Sequence, residues 1–439
     1  MQQRKGRMMP ERRKIFGVLP ALMLGLALGL PARMVGAQDA TPLPEVTADW
    51  TMFRGNAART GIVPVTAPHG DPVELWRFQE DGGAASTPVI ADGLIYAGCD
   101  CDTFYAIDAA SGQEAWRVQA GESFATNPAV VDGVVYAGNG DGNLYAFDAA
   151  SGKELWHVPG IRMLAGPAIL DGVIYVGGDT GELAALDAAS GDMLWKSDLG
   201  AGASRSPAVG EGVVAIGDSD GVVHAVEQAT GAPRWQFQTE GGGATGTIAI
   251  ADGTAYFGTD DADINHLYAV DTATGKARWS FPVPTGSDIR VPTIDGNVLY
   301  AASDGGVIYA LEAATGKEIW NFPAAGATYA PPALIDGTLY FTSDARLIYA
   351  VDAASGQEVW TFPIDGGTKD GLIVADGVIY LGTEYGSLYA IGGSDDVASR
   401  ATPGATPTAA MAAPAVLAEI TGGATPMKSV SGVDIGTLA

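Results

Sequence analysis

The stretch Asn127-Pro128-Ala129-Val130-Val131-Asp132-Gly133-Val134-Val135-Tyr136-Ala137-Gly138, continued by Asn139-Gly140-Asp141-Gly142 and Asn143-Leu144-Tyr145-Ala146-Phe147-Asp148, closes with Ala149-Ala150-Ser151-Gly152-Lys153-Glu154-Leu155-Trp156. It reads as four short apolar strands divided by turns. Asp132-Gly133 makes a tight hairpin where positive φ is needed. A second Gly-rich turn joins strands two and three. Ser151-Gly152 leads into the strand that carries Trp156.

The unit recurs along the chain. Trp76, Trp116, Trp156, Trp195, Trp235, Trp279, Trp320 and Trp360 follow one another at spacings of 40, 40, 39, 40, 44, 41 and 40. Turns such as Asp108-Ala109-Ala110-Ser111-Gly112 and Asp271-Thr272-Ala273-Thr274-Gly275 precede Trp116 through Trp360, but no such turn precedes Trp76. Conversely, the last unit, Leu372 to Ile391, has three strands and no Trp. Ring closure reconciles the two ends, with residues 73–79 as the outer strand of the last blade against residues 388–391. A linear solenoid has atypical ends, not complementary ones. The pattern therefore predicts an all-β, eight-bladed β-propeller over residues 49–392, with four antiparallel strands per blade and no open edge in the ring. The eight Trp residues are expected to be structural, packing between adjacent blades.

The flanks differ in composition. Arg4, Lys5, Arg7, Arg12, Arg13 and Lys14, an apolar run from Ile15 to Leu30, and Val35-Gly36-Ala37 read as a cleavable signal peptide over residues 1–37. Arg12-Arg13-Lys14-Ile15-Phe16 resembles a twin-arginine signal, although Glu11 departs from it, so both export routes stay open. The apolar run is short for a bilayer span, and no later segment could make one. Residues 38–48 read as a linker. Residues 393–439, rich in Ala, Thr, Pro and Gly, read as a disordered tail with a weak helix at Pro414 to Ile420. Removing residues 1–37 leaves 17 Lys and Arg against 50 Asp and Glu, a net charge of −33. Such a surface repels nucleic acid and anionic membranes.

The repeat Ala-x-Asp-x-x-Ser/Thr-Gly-x-x-x-Trp resembles the tryptophan-docking repeat of quinoprotein propellers, the fold of the pyrroloquinoline quinone (PQQ) dehydrogenases. Asp49-Trp50-Thr51-Met52-Phe53-Arg54-Gly55-Asn56, with Arg59-Thr60-Gly61, looks like the segment that opens those propellers. The resemblance covers residues 49–392. It implies either PQQ with calcium and oxidation of an alcohol or sugar, or the non-catalytic role of the outer-membrane assembly propeller in the same family. The chain departs from the dehydrogenases in its near-minimal blades and in its cysteines, Cys99 and Cys101, which Asp100 separates.

Three places carry candidate chemistry. In an exported chain, Cys99 and Cys101 can form a strained disulfide, a soft-metal site with Asp100 and Asp102, or two inert thiols. Asp261, Asp263 and Asn265 mimic the first half of a calcium loop, but His266 stands where Gly belongs and Thr272 where the closing Glu belongs. The loops leading into the inner strands converge at one end of the channel. Arg205 and Arg290 lie at equivalent positions there, with Arg162, Lys369, Asp370 and Asn127 beside them. On so acidic a chain these cations could hold a carboxylate-bearing ligand such as PQQ, or pair with Asp288, Asp370, Glu240 or Glu122. His69, His157, His224 and His266 follow no catalytic or zinc spacing. The expected function is a non-catalytic platform whose loop face binds a protein or a small anionic ligand. The alternatives are a PQQ-dependent dehydrogenase and a cell-envelope assembly scaffold.

Overall fold

The computed structural model describes residues 48–80, 86–124, 126–163, 165–200, 202–203, 205–240, 244–260, 265–283, 287–368, 371–400 and 417–419. The expected signal peptide and most of the expected linker and tail lie outside the described residues.

Two-residue turns punctuate the strands as the sequence requires. Asp132 (φ 51°) and Gly133 (φ 74°) both sit in the left-handed region, which gives the hairpin the twist of its flanking strands. In blade two the strands are Ala129–Val131, Val134–Gly138, Asn143–Asp148 and Glu154–Pro159, hydrogen-bonded in that order. Strands two and three are buried almost throughout because blades cover both faces. The outer strand alternates between half-buried and exposed, because only one of its faces meets a neighbour.

Eight such sheets form the ring. The last is built from both ends of the chain: Pro72–Gln79 pairs antiparallel with Ser387–Gly393, with Trp76 opposite Ala390 and Phe78 opposite Leu388. The closure expected from the displaced Trp76 is thus present in register. Trp76 then reaches into blade one, where its indole N–H donates to Ala109 O at 3.0 Å.

The same contact recurs around the ring. Trp116 donates to Ala149 O at 2.9 Å, Trp235 to Thr272 O at 2.7 Å and Trp320 to Ala353 O at 3.1 Å. From Trp76 through Trp320, each ring lies over the Gly of the next blade's turn. A Cβ on Gly231 (φ +70°) would lie 2.5 Å from Trp195. Both its φ and the close approach therefore demand glycine. Within a blade, Trp116 also tilts against Tyr96, with centroids 5.9 Å apart.

The opening segment fills the middle. Residues 50–66 run along the channel-facing edges of the inner strands. Trp50 exchanges two backbone hydrogen bonds with Ile90 of blade one. Thr51 O accepts from Val130 N, Ala57 O from Val209 N, Ala58 O from Ile250 N, Thr60 O from Ile294 N and Thr66 O from Gly377 N. Ile62 bridges to Leu334 of blade seven. Arg59, fully buried, reaches blade three at Pro167 O (2.7 Å) and blade four at Pro207 O (3.2 Å). Arg54 donates to Pro332 O and Pro292 O, each at 2.8 Å. All eight blades are therefore tied to one segment, which satisfies edge groups that would otherwise face the channel unpaired. Burial pushes both guanidinium pKa values down to about 9, and for Arg54 the Arg59 charge adds to it.

Parts of the tail differ from the composition's expectation. Ser394–Arg400 forms a helix, and Asp396 accepts from the backbone N–H of His69 at 2.8 Å. Leu417–Glu419, expected as weak helix, is a strand parallel to residues 117–119 on the outer edge of blade one.

Candidate binding site on the lead-in loop face

The loops that lead into the inner strands share one end of the ring with the turns between strands two and three. In blades one and two the lead-in side chain is spent on the scaffold. The Thr126 hydroxyl donates to Gly138 O at 3.0 Å and accepts from Gly138 N at 2.9 Å, and Ser86 Oγ accepts from Gly98 N at 3.0 Å.

Arg205 and Arg290 break this pattern, and the structure brings them together. Arg205 Nε donates to Thr245 O of blade five at 3.2 Å. Its pKa is lowered first by burial and then by the Arg290 charge, with Asp260 and Asp288 acting in the opposite direction. Arg290 holds its guanidinium 5.7 Å from the Tyr329 ring centroid, a cation–π contact. Its Nε is buried without a hydrogen-bond acceptor. Among the carboxylates, Asp288 is pushed up to about 6 by burial, then by the charges of Asp260 and Asp304. The cleft thus combines two cations with three carboxyl groups, one of which takes a proton just below neutral pH.

The other sequence candidates are placed differently. Arg162, two-thirds exposed, pairs with Asp179 at 3.3 Å in its own blade. Asn127 is a brace between blades, its Oδ1 accepting from Thr87 N at 3.0 Å. Asn265 joins the arginine cleft: its amide donates to Asp288 at 3.2 Å, and its Oδ1 accepts from Thr259 at 3.2 Å. Asp261, Asp263, Lys369 and Asp370 lie outside the described residues. Cys99 and Cys101 are joined in a disulfide, with Cα atoms 5.1 Å apart. His224, at the strand-three position that Tyr145 holds in blade two, is buried and meets Asp218 at 2.7 Å. Sequence reasoning missed Asp260, Asp304 and Tyr329 as parts of the cleft. Their signal lay in lining up the lead-in loops with the turns between strands two and three.

PQQ with calcium fits the described residues poorly. A calcium ion needs several oxygen ligands. Among the described residues no group of three His, Cys, Asp or Glu side chains could hold a metal ion. On the channel side, the buried guanidinium groups of Arg54 and Arg59 already lie against the inner strands.

Comparison with known proteins places this architecture. The family model described as outer membrane protein assembly factor BamB matches residues 61–164, 140–290 and 263–395. No curated protein matches the chain. Among solved structures, BamB from Moraxella catarrhalis is 19% identical with a TM-score of 0.63, covering 73% of this chain and 100% of that one. The quinohemoprotein alcohol dehydrogenase from Comamonas testosteroni is 15% identical with a TM-score of 0.66, covering 79% of this chain and 81% of its own. A europium-containing methanol dehydrogenase is 13% identical with a TM-score of 0.68, covering 79% and 98%. At these identities the solved structures share the fold alone. The family match spans the whole ring, and the chain belongs to the PQQ-like β-propeller family described by the outer membrane protein assembly factor BamB.

Proposed function

We propose that this protein is an exported, non-catalytic binding platform that uses its lead-in loop face to hold a carboxylate-bearing ligand, small or on a protein surface. The supporting observation is the Arg290 Nε, buried without an acceptor beside Arg205. A guanidinium with an unused donor favours a planar oxyanion, which it can meet with two parallel hydrogen bonds. Family membership supports the interaction role, since the matching description is that of an assembly factor. Residues 1–37, with their basic start and apolar run, support export.

The test is calorimetry of citrate and of PQQ with the full chain and with Arg205→Gln/Arg290→Gln. Loss of at least about tenfold in affinity, or 1.4 kcal/mol, is expected. Equal binding by both proteins overturns the reading. Alcohol- or sugar-dependent dye reduction on adding PQQ and calcium would establish the dehydrogenase alternative instead.

A further inference from the structure

Two departures from the repeat lie on either side of the seam between blade eight and blade one, and neither belongs to the arginine cleft. The first is the turn Cys99-Asp100-Cys101-Asp102, which replaces the Asn139-Gly140-Asp141-Gly142 of blade two. The second is Glu80. Its backbone N–H makes the contact that every blade makes at this seat, here to Gly386 O at 2.8 Å. The equivalent seats hold Ala, Ile, Leu, Thr or Val, Ala120 and Ile364 among them. Glu80 is 3% exposed, and neither carboxyl oxygen has a hydrogen-bond partner. Burying a carboxyl in a seat made for methyl groups costs stability, so its presence there points to chemistry. Burial, reinforced by the charge of Asp100 between the two cysteines, raises its pKa to about 8. It therefore carries a proton at neutral pH.

We propose that Cys99, Cys101 and Glu80 form a thiol–disulfide exchange site that oxidises a dithiol on a partner protein. The two sulfurs are not equivalent. Cys99 is fully buried, whereas Cys101 is half-buried. Cys101 is therefore the sulfur that a partner reaches. The partner's first thiolate attacks Cys101 Sγ, the Cys99–Cys101 bond breaks, and its electron pair leaves on Cys99 Sγ. A bare thiolate on a buried sulfur next to Asp100 and Asp102 is unfavourable. Glu80 supplies the proton that neutralises it. The partner's second thiolate then attacks its own mixed-disulfide sulfur and releases Cys101, which takes up a proton from solvent. The partner loses two electrons to become a disulfide, and the site gains them as a dithiol. Asp100 and Asp102 favour a partner whose thiols lie among cationic side chains.

The experiment uses the full chain, with small thiols as probes. Protein is equilibrated with cysteamine and cystamine at varied ratios, its thiols are alkylated, and the intact mass is measured. Expected results are the gain of two thiols with unchanged circular dichroism, and a cysteamine adduct on Cys101 in Cys99→Ala. Reduction of the wild-type chain only on unfolding overturns the site, whatever the folding of the variant. Glu80→Gln is expected to slow reduction at neutral pH by on the order of tenfold and to remove the rate break near pH 8. An unchanged pH–rate profile removes Glu80 from the mechanism. Mercaptoacetate, an anionic thiol, is expected to react more slowly than cysteamine, with the gap closing at high salt. Equal rates at low salt overturn the charge preference.

Discussion

The two ends of this ring are built from the same strands and behave differently. At the Ser/Thr-Gly turns the blades are nearly interchangeable: an indole N–H on one blade meets a carbonyl on the next, over a glycine with φ close to +70°. At the lead-in loops the backbone still repeats but the side chains do not. Thr126 turns its hydroxyl back onto Gly138, whereas Arg290 at the equivalent seat leaves its Nε unpaired. Repetition marks where the ring holds itself together. Departure from it marks where side chains are spent on something else.

Substitutions can break this contrast in order of size. Trp116→Ala empties a site that is 2% exposed at the seam of blades one and two and is expected to cost about 4 kcal/mol, read as a lower denaturant midpoint. Gly231→Ala places a Cβ against Trp195 at positive φ, and a loss of about 2 kcal/mol is expected in the same measurement. Thr126→Val removes both hydroxyl bonds to Gly138, for about 1 kcal/mol. Arg290→Ala is expected to change stability by no more than about 0.5 kcal/mol while weakening citrate binding. A large stability loss in Arg290→Ala would make it one more staple and collapse the contrast.

Acidity offers a finer test. Asp288 has its pKa raised from an ordinary 3.8 to about 6, so the folded state holds a proton that the unfolded chain releases. Its contribution to stability is complete below 3.8 and is lost as pH rises through about 6. The same protonation removes one negative charge from the cleft. Binding of methanesulfonate, whose own charge is constant over this range, should strengthen as pH falls through about 6, and Asp288→Asn should flatten that slope. Calorimetry at several pH values reads both.

The sequence carried the architecture because ring packing is periodic. Trp spacing, Asp-Gly hairpins and the displaced Trp76 are local signals whose partners lie a fixed step away. The interior of the channel is not periodic. Arg54 and Arg59 find carbonyl partners 278 and 108 residues away, on blades chosen by the path of the opening segment, and spacing does not encode that path. The cleft was legible in part. Arg205 and Arg290 stand out by alignment of the lead-in loops, but Asp260 and Asp304 belong to different turns and join them only through the ring. Glu80 gave no motif at all, since one carboxyl in a seat otherwise filled by small or apolar residues becomes conspicuous only once the seats are superimposed.

The opening segment has a consequence for the order in which the molecule can form. Residues 50–79 are made before any blade is complete, yet their partners extend to Gly393 and Asp396. These are contacts of high sequence separation, the kind that slows folding because a long loop must close before any bond rewards it. A growing chain can stack blades one after another, but it cannot fill its channel or close its ring until residue 393 has emerged. Until then the inner strands keep open edges, and the chain is exposed to mispairing with other chains.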